Sequence, residues 1–358
     1  MLKFFAYPIA WLFRIFLNIR HKLFDQGSLK SVKFSNVVTI CVGNLTVGGT
    51  GKTPFTEMLI DGLRGEHKVA VLSRGYGRRS KGFIEVTLRS SYKQVGDEPK
   101  QMKLKFPDVP MFVCEKRVEG VNRIMELCPD TDVILLDDAF QHRYIDPTVN
   151  ILLVDYNRPV FEDELLPVGS LRDLPSQLPR AHFVCVTKCS PTMTPIDMRV
   201  MKNGLRLFPY QGLFFTRMVS GLPAPVFPED AALSILPNGQ NVMAMAAIGN
   251  PTHFIEGLES TYKVVDQLLF RDHHPYNVND MRKIEARLEN LPDDTMIIVT
   301  EKDAVKLTGR NRIPLNIRKR LYYVPVNISF TADTKENFLK QLDNYVRKNQ
   351  TDSLLYTK

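Results

Sequence analysis

The stretch Val37-Val38-Thr39-Ile40-Cys41-Val42-Gly43-Asn44-Leu45-Thr46-Val47-Gly48-Gly49-Thr50-Gly51-Lys52-Thr53-Pro54 decides the fold. It reads as a β-branched apolar strand, a glycine-rich turn and the start of a helix. After Lys52-Thr53, the apolar residues Phe55, Met58, Leu59 and Leu63 recur at helical spacing. Pro54 suits the first turn, where a missing N–H costs nothing. A strand, a tight turn and a helix in this order aim backbone N–H groups and the positive end of the helix dipole at one spot, which favours a phosphate. Thr46, Val47, Gly48, Gly49, Thr50 and Gly51 would form the cradle, Lys52 would reach the β- and γ-phosphates, and Thr53 would place its hydroxyl on Mg²⁺. The pattern wants glycine where Thr46 stands, so Gly48 and Gly49 would supply the sharp turn. The plain alternative is a glycine-rich connection that binds nothing.

Outward from this turn, residues 37 to about 190 alternate strand-like runs (37–42, 68–73, 133–136, 150–154 and 182–187) with helical stretches. Fully apolar runs such as Val133-Ile134-Leu135-Leu136 predict a parallel sheet covered on both faces, with ligands at the carboxyl ends of its strands. Asp137 and Asp138 follow one such run, as expected of a strand-end carboxylate that holds Mg²⁺ directly or through water. Arg74 lies in Ser73-Arg74-Gly75-Tyr76-Gly77-Arg78-Arg79, a loop suited to phosphate or carboxylate, or else simply solvated. In Val95-Gly96-Asp97-Glu98-Pro99, Asp97 reads by pattern alone as a turn former or helix cap, and as a proton acceptor only if the fold returns it to the γ-phosphate.

The chain has 358 residues, 44% of them apolar, which is enough for two domains. Its net charge of +8 suits an anionic partner such as a nucleotide, a phospholipid surface or nucleic acid. Five cysteines with no C-x-x-C pair read as reduced, buried thiols of a cytosolic protein. The first 24 residues hold Lys3, Arg14, Arg20 and Lys22, no carboxylate, and an apolar run from Phe4 to Phe13. That run is too short to span a bilayer and has no cleavage site after it. On a helical wheel Lys3, Tyr7, Arg14, Asn18 and His21 share a narrow face, the pattern of a helix lying in an anionic membrane surface. A helix packed on the protein's own core is the alternative.

A proline- and glycine-rich stretch at 206–230 reads as a hinge, and a second α/β run follows without a cradle of its own. Asp272-His273-His274 ends its second strand, where one histidine held by a carboxylate would serve acid–base or positioning work, or the loop is merely polar. Thr300-Glu301-Lys302-Asp303 reads equally well as a charged helix start.

Taken in order, these segments, with Gly43-Asn44, Gln141-His142-Arg143, Leu166-Pro167-Val168-Gly169-Ser170-Leu171-Arg172 and Gly249-Asn250-Pro251, resemble the tetraacyldisaccharide 4'-kinase family. The resemblance implies an ATP- and Mg²⁺-dependent kinase acting on the membrane-embedded disaccharide precursor of lipid A, at the cytoplasmic face of the bacterial inner membrane. It implies an α/β fold: a P-loop parallel-sheet domain, a second, smaller α/β domain and an N-terminal amphipathic membrane-interface helix. The expected boundaries are 1–25 for the helix, 26–211 for the kinase core, 212–230 for the hinge and 231–358 for the closing domain. The resemblance also makes Asp97 the catalytic base with His273 as its partner and Lys52 as a catalytic cation. Asp137 and Asp138 become the metal-associated pair, and Asn44, Arg74, Gln141 and Arg172 lie on the substrate side. Asp173 stands where the family often has glutamate, which leaves its role open.

The rival is a membrane-bound ATPase switch of the partitioning type, but that group carries a lysine where this chain has Val47. A GTPase would need an aspartate that Thr187-Lys188-Cys189-Ser190 lacks. Nucleic acid is not expected, because no aromatic platform accompanies the basic groups, and neither is an obligate protein partner.

Overall fold

The structure is a computed structural model and describes residues 2–272, 274–308 and 313–356, with backbone alone at 2–5, 333 and 349–356. The first unit runs through α1 (Leu2–Asp25), β1 (Val38–Asn44), α2 (Lys52–Leu63), β2 (Val69–Ser73), β3 (Ile84–Glu85), α3 (Tyr92–Val95), α4 (Asp97–Lys105) and β4 (Met111–Val113). It continues through α5 (Arg117–Leu127), β5 (Val133–Asp137), β6 (Val149–Asp155), β7 (Phe183–Thr187), α6 (Pro195–Leu205) and β8 (Gly212–Ser220). The second unit comprises β9 (Ala224–Pro225), β10 (Asn241–Ala246), α7 (Thr252–Glu259), β11 (Lys263–Leu269), α8 (Val278–Leu288), β12 (Met296–Thr300), α9 (Glu301–Thr308), α10 (Leu315–Arg318) and β13 (Leu321–Val324). The chain then returns as β14 (Val326–Phe330) and α11 (Lys335–Tyr356).

Among the described residues, nine strands form the large sheet in the order β14-β8-β7-β6-β1-β5-β2-β4-β3. Every pairing from β8 across to β4 is parallel, and the two edge strands are antiparallel. β1, β5 and β6 are buried along their whole length, because helices cover both faces. One face packs against α1 and α5 through Leu17, Val121 and Ile124; the other packs against α2 and α11 through Leu59, Phe338 and Leu342. Val42 lies opposite Asp137, so the acidic end of β5 falls beside the turn that follows β1. The smaller sheet has the order β11-β10-β12-β13-β9, with apolar layers on both faces.

Two expected boundaries shift. Residues 212–220 are not linker but strand β8, paired with β7 inside the large sheet. The second unit does not run to 358, since β14 pairs with β8 and α11 packs beneath the first sheet. Phe338, Leu342 and Val346 of α11 are fully buried; three such side chains contribute on the order of 6 kcal/mol, enough to hold the last helix there. The chain therefore crosses between units twice, and Gly221 N donates to Pro325 O at 2.8 Å where the crossings meet.

The N-terminal segment is a helix, as expected, but its inward stripe is Ala10, Leu17, His21 and Phe24. His21, assigned by periodicity to a polar outer face, is buried. Tyr7, Ile9, Trp11, Leu12, Phe16 and Ile19 remain more than half exposed. Packing on the core and presenting a greasy face therefore occur in the same helix. Among the described residues, no helix is long and apolar enough to cross a membrane. All five cysteines are free thiols.

Candidate active site

The glycine-rich turn is shaped by two left-handed residues, Gly48 at φ 95° and Gly51 at φ 84°, where a side chain would be strained. Gly51 caps α2, so Lys52 and Thr53 open the helix. The turn is stitched to the segment before Arg172: Val47 N donates to Ser170 O and Arg172 N to Leu45 O, each at 2.8 Å. Asn44, buried at the end of β1, organises the interior. Its Nδ2 donates to Thr50 Oγ1 at 2.9 Å and to Thr46 Oγ1 at 3.3 Å. Its Oδ1 accepts from Arg172 Nη2 at 2.5 Å and from Lys52 Nζ at 3.5 Å. Gln141 Nε2 donates to the Asn44 carbonyl at 2.8 Å.

The acidic strand end faces this cradle. Asp138 adopts a left-handed backbone at φ 47°, an uncommon conformation for a residue with a side chain. Arg172 forks onto both its carboxylate oxygens, and Lys52 Nζ lies 3.9 Å from Oδ1. Burial alone would raise the Asp138 pKa, but Lys52 and Arg172 together hold it below the usual aspartate value. Asp137 goes the other way, raised by burial and then by the neighbouring Asp138. Its Oδ2 accepts from Ser73 Oγ at 2.9 Å, while Oδ1 is buried with no hydrogen-bond partner among the described residues. Beneath the pair, buried Arg117 donates to the carbonyls of Asp137 and Cys114.

Asp97 is the first residue of α4. The preceding Gly96 has φ 95°, and a Cβ there would sit 3.1 Å from the Gly75 Cα. The 74–77 loop and the start of α4 are thus packed backbone on backbone, so the motif at 95–99 does return to the strand ends. Lys302, from α9 of the second unit, reaches Asp97 Oδ2 at 3.5 Å and Glu98 Oε1 at 3.9 Å. Glu98 is crowded by protein and by the charges of Asp137 and Asp97, which push its pKa up to about 7 although Lys302 and Lys52 oppose the shift. Its side chain still keeps 31% of its surface open. At the other end of α4, Lys105 bridges Glu57 at 2.6 Å and Glu301 at 3.5 Å. Burial, then the Glu301 charge, pushes Glu57 up to about 7, and two acids share one ammonium.

Of the residues singled out from the sequence, Asn44, Thr46, Thr50, Lys52, Asp138, Gln141 and Arg172 converge in one bonded network, with Asp137 beside it through Ser73. Thr46 and Thr50 turn their hydroxyls inward to Asn44, and Val47 gives its amide to Ser170. Thr53 stands half-buried in the first turn of α2, and Arg74 is exposed on its loop. His273 lies outside the described residues. His274 is held by Asp280 at 2.9 Å and stacked on Phe270, which is a packing role. Glu98, Lys302, Ser73 and Arg117 were not singled out. Glu98 and Lys302 stood inside quoted motifs, whereas Arg117 gave no local signal.

A parallel sheet with a lysine-bearing phosphate cradle, a strand-end aspartate pair and a second α/β unit leaning on a carboxylate defines a P-loop phosphotransferase architecture. The sequence profile of the tetraacyldisaccharide-1-P 4'-kinase family matches residues 2–347. A tetraacyldisaccharide 4'-kinase from Phocaeicola vulgatus is 43% identical over 352 residues, covering 97% of this chain and 96% of that protein. One from Bacteroides fragilis is 41% identical over 356 residues, covering 98% and 94%. The crystal structure of LpxK from Aquifex aeolicus in complex with ATP superposes with a TM-score of 0.74 at 27% identity, covering 97% of this chain and 100% of that one. The chain belongs to the tetraacyldisaccharide-1-P 4'-kinase family. The partitioning-type switch considered above is not favoured.

Proposed function

We propose that this protein transfers the γ-phosphate of ATP to the 4'-hydroxyl of the tetraacyl disaccharide 1-phosphate precursor of lipid A. The observation that carries the reading is the bonded set Asn44, Lys52, Asp138 and Arg172 around the left-handed glycines, with Asp97 delivered from α4. Lys52 neutralises charge on the phosphates, and the glycine turn supplies backbone donors. Thr53, Asp137 and Asp138 would hold Mg²⁺, which neutralises phosphate oxygens when bound. The buried Oδ1 of Asp137, without a hydrogen-bond partner among the described residues, fits a group that wants a cation or its water. Asp97 takes the proton of the attacking hydroxyl, with His273 as its partner.

The acceptor side follows from the exposed apolar face of α1, which would lie in the membrane interface at the cytoplasmic side of the inner membrane. A cavity of about 720 Å³ opens beside the segment after α1, lined by Val32, Val118 and Tyr144 together with groups of both signs, Lys30, Lys116 and Glu119 among them. Its apolar walls suit an acyl chain. Transfer of labelled γ-phosphate from ATP to detergent-dispersed disaccharide tests the reading. Purified protein that hydrolyses ATP but never labels the lipid would sink it.

A further inference from the structure

One buried polar pair has no part in the chemistry above. His21, in the last turns of α1, is 3% exposed and Asp173 is fully buried, with His21 Nε2 2.6 Å from Asp173 Oδ1. Arg143 Nη1 lies 3.1 Å from His21 Nδ1. A guanidinium only donates, so Nδ1 accepts and the ring proton sits on Nε2, donated to Asp173. Asp173 Oδ1 also accepts from Leu174 N at 2.8 Å, which fixes the chain just beyond Arg172. Arg172 is the residue that grips Asp138 and Asn44. A second route runs alongside: Arg20 Nη2 donates to Gln141 O, and Gln141 Nε2 to Asn44 O, both at 2.8 Å. Two adjacent residues of α1 thus reach Asn44 by separate short chains of bonds.

Holding the helix in place does not require this. Ala10, Leu17 and Phe24 already bury an apolar stripe of α1, and a buried carboxylate pair adds little net stability because its hydrogen bonds must first offset desolvation. Directional hydrogen bonds fix orientation, which apolar contact leaves loose.

We propose that His21 and Asp173 are positioning residues of the phosphoryl-transfer site: the seating of α1 sets Arg172 and, through it, Asp138 and Asn44. The inference rests on the kinase reading above. It makes one helix both the face presented to lipid and the brace of the nucleotide cradle, so loosening the helix disorders the cradle.

The test uses full-length His21→Ala, His21→Gln and Asp173→Leu in detergent, with fluorescent ATP-analogue binding measured beside kcat and KM for the disaccharide. His21→Ala and Asp173→Leu, each of which removes one side of the bond, are expected to lower kcat about tenfold and to weaken nucleotide binding several-fold, with the lipid KM changing less than about twofold. His21→Gln, whose amide nitrogen stands where Nε2 stands, should keep kcat within about threefold of wild type. Unchanged kcat and nucleotide affinity, with only a raised lipid KM or reduced vesicle binding, would reduce the pair to an anchor and overturn the proposal. Should His21→Ala fail to fold by circular dichroism, Asp173→Leu, which is close in size and removes the acceptor, carries the same comparison. Wild-type protein that binds the analogue but labels no disaccharide would instead remove the lipid-kinase reading, and the binding comparison would still decide the positioning role.

Discussion

Replacing Arg172 by alanine removes a guanidinium that touches both carboxylate oxygens of Asp138 and, at 2.5 Å, Asn44 Oδ1. A hydrogen bond to a charged group contributes about 1.5–3 kcal/mol. Three bonds to one group do not add, and Arg172 keeps 25% of its side chain exposed. A value of about 3 kcal/mol for the whole set is therefore the appropriate scale. Asp138 would lose the clamp that steadies its left-handed backbone at φ 47°. Lys52 Nζ, already 3.9 Å from Asp138 Oδ1, would be drawn onto that carboxylate and away from the phosphates. Expressed in the transition state, 3 kcal/mol corresponds to roughly a 100-fold loss in kcat/KM. Arg172→Lys keeps the charge but cannot fork onto both oxygens, so a loss of about tenfold is expected. Initial rates of labelled phosphate transfer, with thermal unfolding as the fold control, give the answer. An alanine variant within about threefold of wild type would show that Arg172 does not organise the cradle.

Asp97→Ala should lower transfer by about a thousandfold while nucleotide binding stays near wild type; lost ATP-analogue binding would make Asp97 structural instead. Glu57 has a folded pKa of about 7 against an ordinary 4.5, so the native state binds its proton more tightly and loses stability as pH rises from 4.5 to 7, by up to about 3 kcal/mol. Glu57→Gln is therefore expected to gain on wild type across that window in pH-dependent thermal unfolding and to level off above it, and a pH-independent difference would contradict the shift. Serine at Trp11, Leu12 and Phe16, which are 62%, 61% and 59% exposed, should cut vesicle partitioning at least about tenfold and leave the unfolding temperature unchanged. Undiminished sedimentation with anionic vesicles would argue that this face does not meet lipid.

What the sequence disclosed was local chemistry. Gly48, Gly51, Lys52 and Thr53 lie close together in the chain, and a strand-to-helix turn built to hold phosphate calls for those residue types, so the turn was legible in the sequence. Asp137 and Asp138 were legible for the same reason, as acids closing an apolar strand. The remainder depends on distant partners. His21 carries no mark of burial in its own segment, because the group that makes burial tolerable is Asp173, 152 residues away. Arg117 looks like an ordinary charged helix start, yet two carbonyls brought together by the sheet absorb its guanidinium. Pro325 hides the return to the first sheet: it breaks one apolar run into β13 and β14, and only pairing shows that the two belong to different sheets. The resemblance to a family supplied a role for Asp97 that its turn-like surroundings could not.

The division of labour between the two units follows from where each bond lies. Asn44, Lys52, Asp137, Asp138 and Arg172 all belong to the large sheet or to segments stitched to it, so among the described residues the bonds of the cradle lie within the first unit. Asp97 differs, because the cation beside it, Lys302, arrives on α9. The same helix reaches the far end of α4 through Glu301 and Lys105, so α9 grips α4 near both ends. A rotation about the paired crossings at Gly221 and Pro325 would therefore leave nucleotide contacts intact while it changed the charge facing Asp97. Withdrawing Lys302 would leave Asp97 next to Glu98 with less positive charge to offset their repulsion, and seating it again would favour the ionised carboxylate that must accept a proton. On the proposed reading, nucleotide binding is a property of one unit and proton acceptance a property of both, so loss of Asp97 should separate the two measurements.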